Sequence, residues 1–205
     1  MTPRTRRDPQ GFETKRRSIL AAAARVFARR GYSGTRVRDI AEEADIAYGL
    51  VYHYFGSKED VLRTLFEEYW SLTLKVVEQI DAGDGDLRQK LLGVAGFFLE
   101  AWRQNPDIVE VVLVEVVRGP KLLEGPNLTR VMRILDLLES LFARHQASGE
   151  MRADADPRLT ALLFMGALET LMTGVLAKGA YSPDLLVEQG RAALVDTFLG
   201  GVLAR

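Results

Sequence analysis

Cysteine is absent from the 205 residues. That excludes a disulfide framework or a thiolate metal site and suits a reducing compartment. Histidine occurs only twice, at His53 and His145. The chain has no nucleophile elbow and no phosphate loop, so enzyme chemistry has little to draw on. "GVAG" at Gly93–Gly96 lies inside a helical pattern and is not a cofactor turn. Long apolar runs are also missing. The longest uncharged one, Leu159–Leu168, falls short of the ~20 residues needed to span a bilayer. No apolar segment near the N-terminus reads as a signal peptide. The expectation is a cytoplasmic protein that is not an enzyme, needs no cofactor or metal, and enters no membrane.

What is present is a foldable composition, 47% apolar and 27% charged, with a lopsided charge distribution. Residues 1–38 hold eleven Lys or Arg against Asp8 and Glu13, an excess of nine positive charges. The whole chain carries −1, so the remaining residues carry −10. One end is suited to a polyanion and the other to something else. A solvated basic tail is the plain alternative.

Nearly every segment has helical periodicity. Ile19, Ala23, Val26 and Phe27 form an apolar stripe, with Thr14 placed to cap its start and Gly31 its end. Val37, Ile40, Ala41 and Ala44 form a second stripe, with Thr35 in the N-cap position. Asp45 then occupies a turn that favours a left-handed residue, which glycine accepts more easily. Ser57 caps another helix reaching about Ile80. The run "DAGDGD", Asp81–Asp86, is a linker. As a calcium loop it would need a carboxylate where Leu92 stands. "VVLVEVV" is strand-like by residue type but stands among helices and is expected to be helical.

Residues 48–55 read "YGLVYHYF", three tyrosines, a histidine and a phenylalanine on two helical turns. Val51 and Phe55 are four apart and can pack inward with Leu50 or Tyr54. That leaves Tyr48, Tyr52 and His53 outward, with groups that bond phosphates or base edges. Two short helices, the second exposed and polar, make a helix-turn-helix whose second helix enters the major groove. The bland alternatives are half-buried aromatics and an ordinary surface histidine.

The stretch from Ile19 to Leu62 resembles the DNA-binding domain of TetR-family transcriptional regulators. The matching pattern includes Phe27, Gly31-Tyr32, Thr35, Val37, Ile40-Ala41, Ala44, Gly49, Tyr52, Tyr54-Phe55 and Lys58. The resemblance implies phosphate contacts at Thr35, Tyr52 and Lys58, with Arg36 and Tyr54 as helpers. Arg38, Tyr48, Gly49 and His53 would approach bases. Asp45 stands where the family has glycine, and Ala47 where a serine or threonine cap is common. Base preference is what these departures put in doubt.

The expected architecture is all-α. It has a flexible basic arm over 1–11, a DNA-binding domain over 12–72 with its motif at about 35–54, and an effector-binding and dimerisation domain over 73–205. The family's dimers form through two C-terminal helices, here around Leu159–Lys178 and Leu185–Ala204, where glycines permit close approach. The expected partners are a palindromic duplex operator, a second copy of the chain and a small apolar effector. Phe97, Phe98, Trp102, Met132, Leu135, Leu138, Phe142, Phe164, Met165 and Leu168 are candidates for its pocket. Glu115, Arg118, Arg133 and Glu169 are candidate polar anchors. The C-terminal stretch is similar to FadR-type members, which implies a long-chain acyl-CoA and control of fatty-acid degradation genes. Other open readings are a regulator of drug efflux or another pathway sensing a different lipophile, and a nonspecific DNA-coating helical protein.

Overall fold

The computed structural model describes residues 9–118, 125–176 and 182–202. The secondary structure of these residues is helical, without a strand. In order they form α1 (Pro9–Gly34), α2 (Val37–Glu43), α3 (Tyr48–Tyr54), α4 (Lys58–Ala82), α5 (Leu87–Gln104), α6 (Pro106–Arg118), α7 (Pro126–Ala147) and α8 (Pro157–Leu176). A short α9 (Pro183–Leu185), a π-helical turn (Leu186–Gly190) and α10 (Arg191–Val202) follow. The stretch "VVLVEVV" is helical, inside α6.

Contacts divide the chain into two units, one ending at Phe66 and one beginning at Glu67. In the first unit α1 packs on α2, and Ile19, Ala23, Val26 and Phe27 of the one and Ile40 and Ala41 of the other are buried. The joint between α2 and α3 is a Schellman turn. The N–H of Ile46 donates to Ala41 O, and that of Asp45 to Glu42 O. Asp45 takes the left-handed conformation the sequence called for, with φ of 50°. Its exposed side chain makes the position a clean test of backbone strain. Asp45→Val is expected to cost about 1–2 kcal/mol and Asp45→Gly to be close to neutral, as read by thermal unfolding.

Three local expectations need correction. Helix α1 starts at Pro9, so Thr14 is not its cap. The Thr14 hydroxyl donates instead to Gln10 O one turn back. Residues 9–11 therefore belong to α1, not to a flexible arm, and residues 1–8 lie outside the described residues. The N-cap of α2 is Arg36, whose N–H donates to the Asp39 carboxylate, and not Thr35. Gly31 does break α1, with φ of 69°. Ser57 caps α4 through its Oγ, which accepts from the Asp60 N–H at 3.1 Å.

The second unit is built on Leu91, Phe98, Ile134, Leu138, Phe142, Phe164 and Leu168, all buried. Phe142, Phe164 and Phe198 join α7, α8 and α10 through tilted and edge-on ring contacts 5.2–6.5 Å apart. The "DAGDGD" linker ends in a capping box. Asp86 Oδ1 accepts from the Gln89 N–H, while Gln89 Oε1 accepts from the Asp86 N–H. The C-terminal stretch expected as one helix contains the π turn, where Leu186 Cδ2 lies 2.8 Å from the place a Gly190 Cβ would take. No helix among the described residues is long and apolar enough to cross a membrane.

Candidate nucleic-acid interface and ligand cavity

Helix α3 has seven residues and no side-chain cap at Ala47. An uncapped helix this short depends on packing. Val51 and Phe55 supply it at 1% and 5% exposure, each worth about 1.5–3 kcal/mol of burial. With that face fixed, Tyr48 and Tyr52 stand at 50% and 45% exposure, and His53 is exposed beside them. The tyrosine rings meet edge to face at 5.3 Å, and their hydroxyls hydrogen-bond at 3.1 Å. The Tyr48 hydroxyl holds the Tyr52 phenol above its ordinary value of 10. Gly49 has open space where a side chain would project. Arg36 and Arg38 are exposed at the start of α2.

Three predicted contact residues are engaged by partners within the unit. The Thr35 side chain is buried, and its hydroxyl donates to Gly31 O at 2.8 Å. The Lys58 ammonium donates to Tyr32 O at 2.9 Å and to Thr35 O at 2.8 Å, and lies 4.2 Å from the Tyr32 ring centre. Tyr54 is half-buried and stacked on Phe12 at 4.5 Å. Thr35 and Lys58 thus brace the corner between α1 and α2 that presents Arg36 and Arg38. Motif spacing identifies such positions without telling a brace from a contact.

The same corner is tied by ion pairs. Glu43 holds Arg25 at 2.6 Å and also Arg29. Asp39 holds Arg30 at 2.6 Å. The Arg29 and Arg25 guanidiniums keep the Glu43 carboxyl below its usual 4.5. The Arg36 N–H, then Arg30, keeps Asp39 below 3.8. A depressed carboxyl stabilises the fold fully above its unfolded value and loses that contribution as pH falls through the folded one. The first unit is therefore expected to weaken as pH drops from about 4.5 downward. Glu43→Gln should cost about 1 kcal/mol at neutral pH and flatten that acid slope, followed by urea unfolding at several pH values.

In the second unit a cavity of about 290 Å³ opens among α4–α8. Tyr69 and Trp70 of α4, Phe98 of α5, and Val112 and Leu113 of α6 form part of its wall. Val131, Ile134 and Leu135 come from α7, and Leu162, Met165, Gly166, Glu169 and Met172 from α8. Of the sequence candidates, Phe98, Leu135, Met165 and Glu169 line it. Trp102, Leu138, Phe142, Phe164 and Leu168 are core instead, each at 4% exposure or less. Phe97 packs edge-on against Phe98 at 5.6 Å. Met132 and Arg133 point to the surface. The side chains of Glu115 and Arg118 lie outside the described residues.

Tyr69 and Trp70 were missed as wall residues because the expected boundary at 72 placed them in the other domain. Burial pushes the Tyr69 phenol far up. The Trp70 indole N–H is buried without an acceptor among the described residues. A larger groove of about 630 Å³ runs between α8 and α10, where Thr170, Gln189, Ala193 and Thr197 are exposed.

Comparison with known proteins agrees with this geometry. Residues 19–65 match the model for bacterial regulatory proteins of the tetR family. The "Fatty acid metabolism regulator protein" of Bacillus subtilis is 27% identical over 165 residues, covering 80% of this chain and 84% of that protein. The "HTH-type transcriptional repressor KstR" of Mycolicibacterium smegmatis is 30% identical over 141 residues, covering 68% and 67%. The solved structure of FadR from Bacillus subtilis in complex with stearoyl-CoA superposes with a TM-score of 0.69 at 25% identity, covering 90% of this chain and 98% of that one.

Proposed function

Because this chain belongs to the tetR family of bacterial regulatory proteins, we propose that it is a ligand-responsive repressor, released from a palindromic operator by a lipophilic effector. That it is a transcriptional regulator follows from the family. The finer reading rests above all on one observation. Helix α3 is anchored on one face by Val51 and Phe55 and offers Tyr48, Tyr52 and His53 on the other. Hydroxyls and an imidazole on a fixed helix suit phosphates and base edges. Arg36 and Arg38 add charge at the corner that Lys58 and Thr35 brace.

The effector reading draws on the cavity. Its wall is apolar apart from Tyr69, the Trp70 indole and Glu169. An orphaned indole N–H is costly, and a carbonyl on a bound ligand would relieve it. A long-chain acyl thioester has the required tail and carbonyl, and the Bacillus subtilis regulator solved with stearoyl-CoA supports that choice. A smaller lipophile is the second reading, favoured by a volume of about 290 Å³, the lower end for ligand pockets. To act, either must bind one arrangement of the reading heads better than the other. Two heads imply a dimer, and the two C-terminal helices are the proposed contact.

The test starts from a duplex selected out of a random pool by the purified protein. Fluorescence anisotropy should show preference over random duplex by roughly 10³-fold or more. Stearoyl-CoA should release the duplex, while free stearate and coenzyme A alone should not. Equal affinity for random DNA would leave a nonspecific coating protein. Selective binding unaffected by stearoyl-CoA would leave a repressor with another ligand.

A further inference from the structure

The first two turns of α1 precede the segment matched to the family, which begins at Ile19, yet they cover the end of the reading helix. The Phe12 ring stacks on Tyr54 at 4.5 Å with planes 29° apart, and stands edge-on to His53 at 6.4 Å. His53 and Tyr54 meet edge to face at 5.5 Å. One turn along α1, the Arg16 guanidinium lies 5.8 Å from the Phe55 ring centre and is held by Glu13 at 3.3 Å. Phe12 and Arg16 are four apart and share a helix face, so α1 grips the last two residues of α3 and its C-cap, Phe55.

Phe12 itself is 38% exposed, while the core of this unit closes without it. An exposed phenylalanine adds little to a core. Its contacts instead restrict the rotamers of Tyr54 and His53. His53 is exposed in the last turn of α3, and no hydrogen bond fixes its ring among the described residues. Aromatic contacts with definite ring geometry are what orient it.

We propose that Phe12 is a positioning residue for sequence reading, holding His53, directly and through Tyr54, in the orientation that meets the duplex. This rests on the DNA-binding role assigned to α3. Base discrimination at the end of α3 then depends on a side chain outside the family-matched segment, and relatives alike within that segment need not share it. A contact that only added affinity would strengthen binding to every sequence alike. A contact that orients one imidazole changes the ranking of sequences at the base pairs that imidazole faces.

The experiment uses the full chain, a duplex selected from a random pool by the wild-type protein, and a panel of single base-pair variants of it. Phe12→Ala is expected to reduce discrimination about three- to tenfold at the positions where His53→Ala also reduces it, and to leave the others unchanged. In the double variant the two effects should not add, because both act through one ring. Phe12→Trp should restore discrimination, and Phe12→Leu, which keeps apolar bulk, should not. Uniform weakening across the panel, additive effects, rescue by Leu or an unchanged panel would each overturn the proposal. Phe12→Leu also covers the case in which the alanine variant fails to fold. A wild-type protein that ranks no sequence above another would instead remove the DNA-reading role itself.

Discussion

Leu163→Glu is expected to yield a folded monomer whose affinity for the operator duplex falls by roughly 10²–10⁴-fold. Leu163 is 67% exposed and Leu159, one turn earlier on α8, is 59% exposed. Neither side chain has much intramolecular packing to lose, so the fold itself should change by less than about 0.5 kcal/mol. Large leucines left in water along one stripe are better explained by a partner than by the chain's own core. In the proposed twofold dimer, a glutamate at this position meets its partner's surface on both sides. A desolvated carboxylate without a counter-charge is strongly unfavourable there. Two linked heads bind one duplex far more tightly than either alone, so loss of the dimer appears as loss of DNA affinity. Native mass spectrometry reads the assembly and anisotropy reads the binding. A dimer of unchanged affinity would remove this face of α8 from the contact.

Lys58→Met should lower the melting temperature by roughly 5–10 °C, an effect of about 2–3 kcal/mol. The ammonium donates to Tyr32 O and Thr35 O at the point where α1 ends and α2 begins. Methionine fills the space without either hydrogen bond or the charge over the Tyr32 ring. The estimate is below the sum for two charge-assisted bonds because Lys58 is half-exposed and water can reach the freed carbonyls. DNA binding should weaken as well, through loosening of the corner that carries Arg36 and Arg38. Calorimetry separates this from a direct phosphate role. An unchanged melting temperature with weakened DNA binding would return Lys58 to the contact surface.

The first unit was the more legible in sequence, and the reasons are local. Schellman geometry at Asp45, the break at Gly31 and the Ser57 cap each depend on a few adjacent residues. So does the division of α3 into a Val51–Phe55 face and a Tyr48–Tyr52–His53 face. What escaped was the use made of polar groups. The carbonyl partners of Thr35 and Lys58 leave no mark in the sequence, where a threonine or lysine is the same letter whatever it meets. The start of α1 escaped because Pro9 and Phe12 precede the apolar stripe, and no periodicity links Phe12 to Tyr54.

The cavity was the least legible feature. Its wall draws on five helices, and helical spacing indicates only that a residue faces inward. Phe98 and Phe164 look alike in sequence. One borders the cavity, and the other is fixed between Phe142 and Phe198. Only tertiary packing distinguishes them.

The carboxylates on the basic unit also bear on how ionic strength acts. Arg16 and Arg17 are held by Glu13, Arg25 and Arg29 by Glu43, and Arg30 by Asp39. Counterion release from a duplex follows the phosphates that a protein newly neutralises. A guanidinium already matched to a carboxylate frees one group only by baring another. Among the described residues of this unit, Lys15, Arg36, Arg38 and Lys58 form no salt bridge. With Lys58 turned to Tyr32 O and Thr35 O, the other three are expected to steepen the salt dependence more than the paired arginines do.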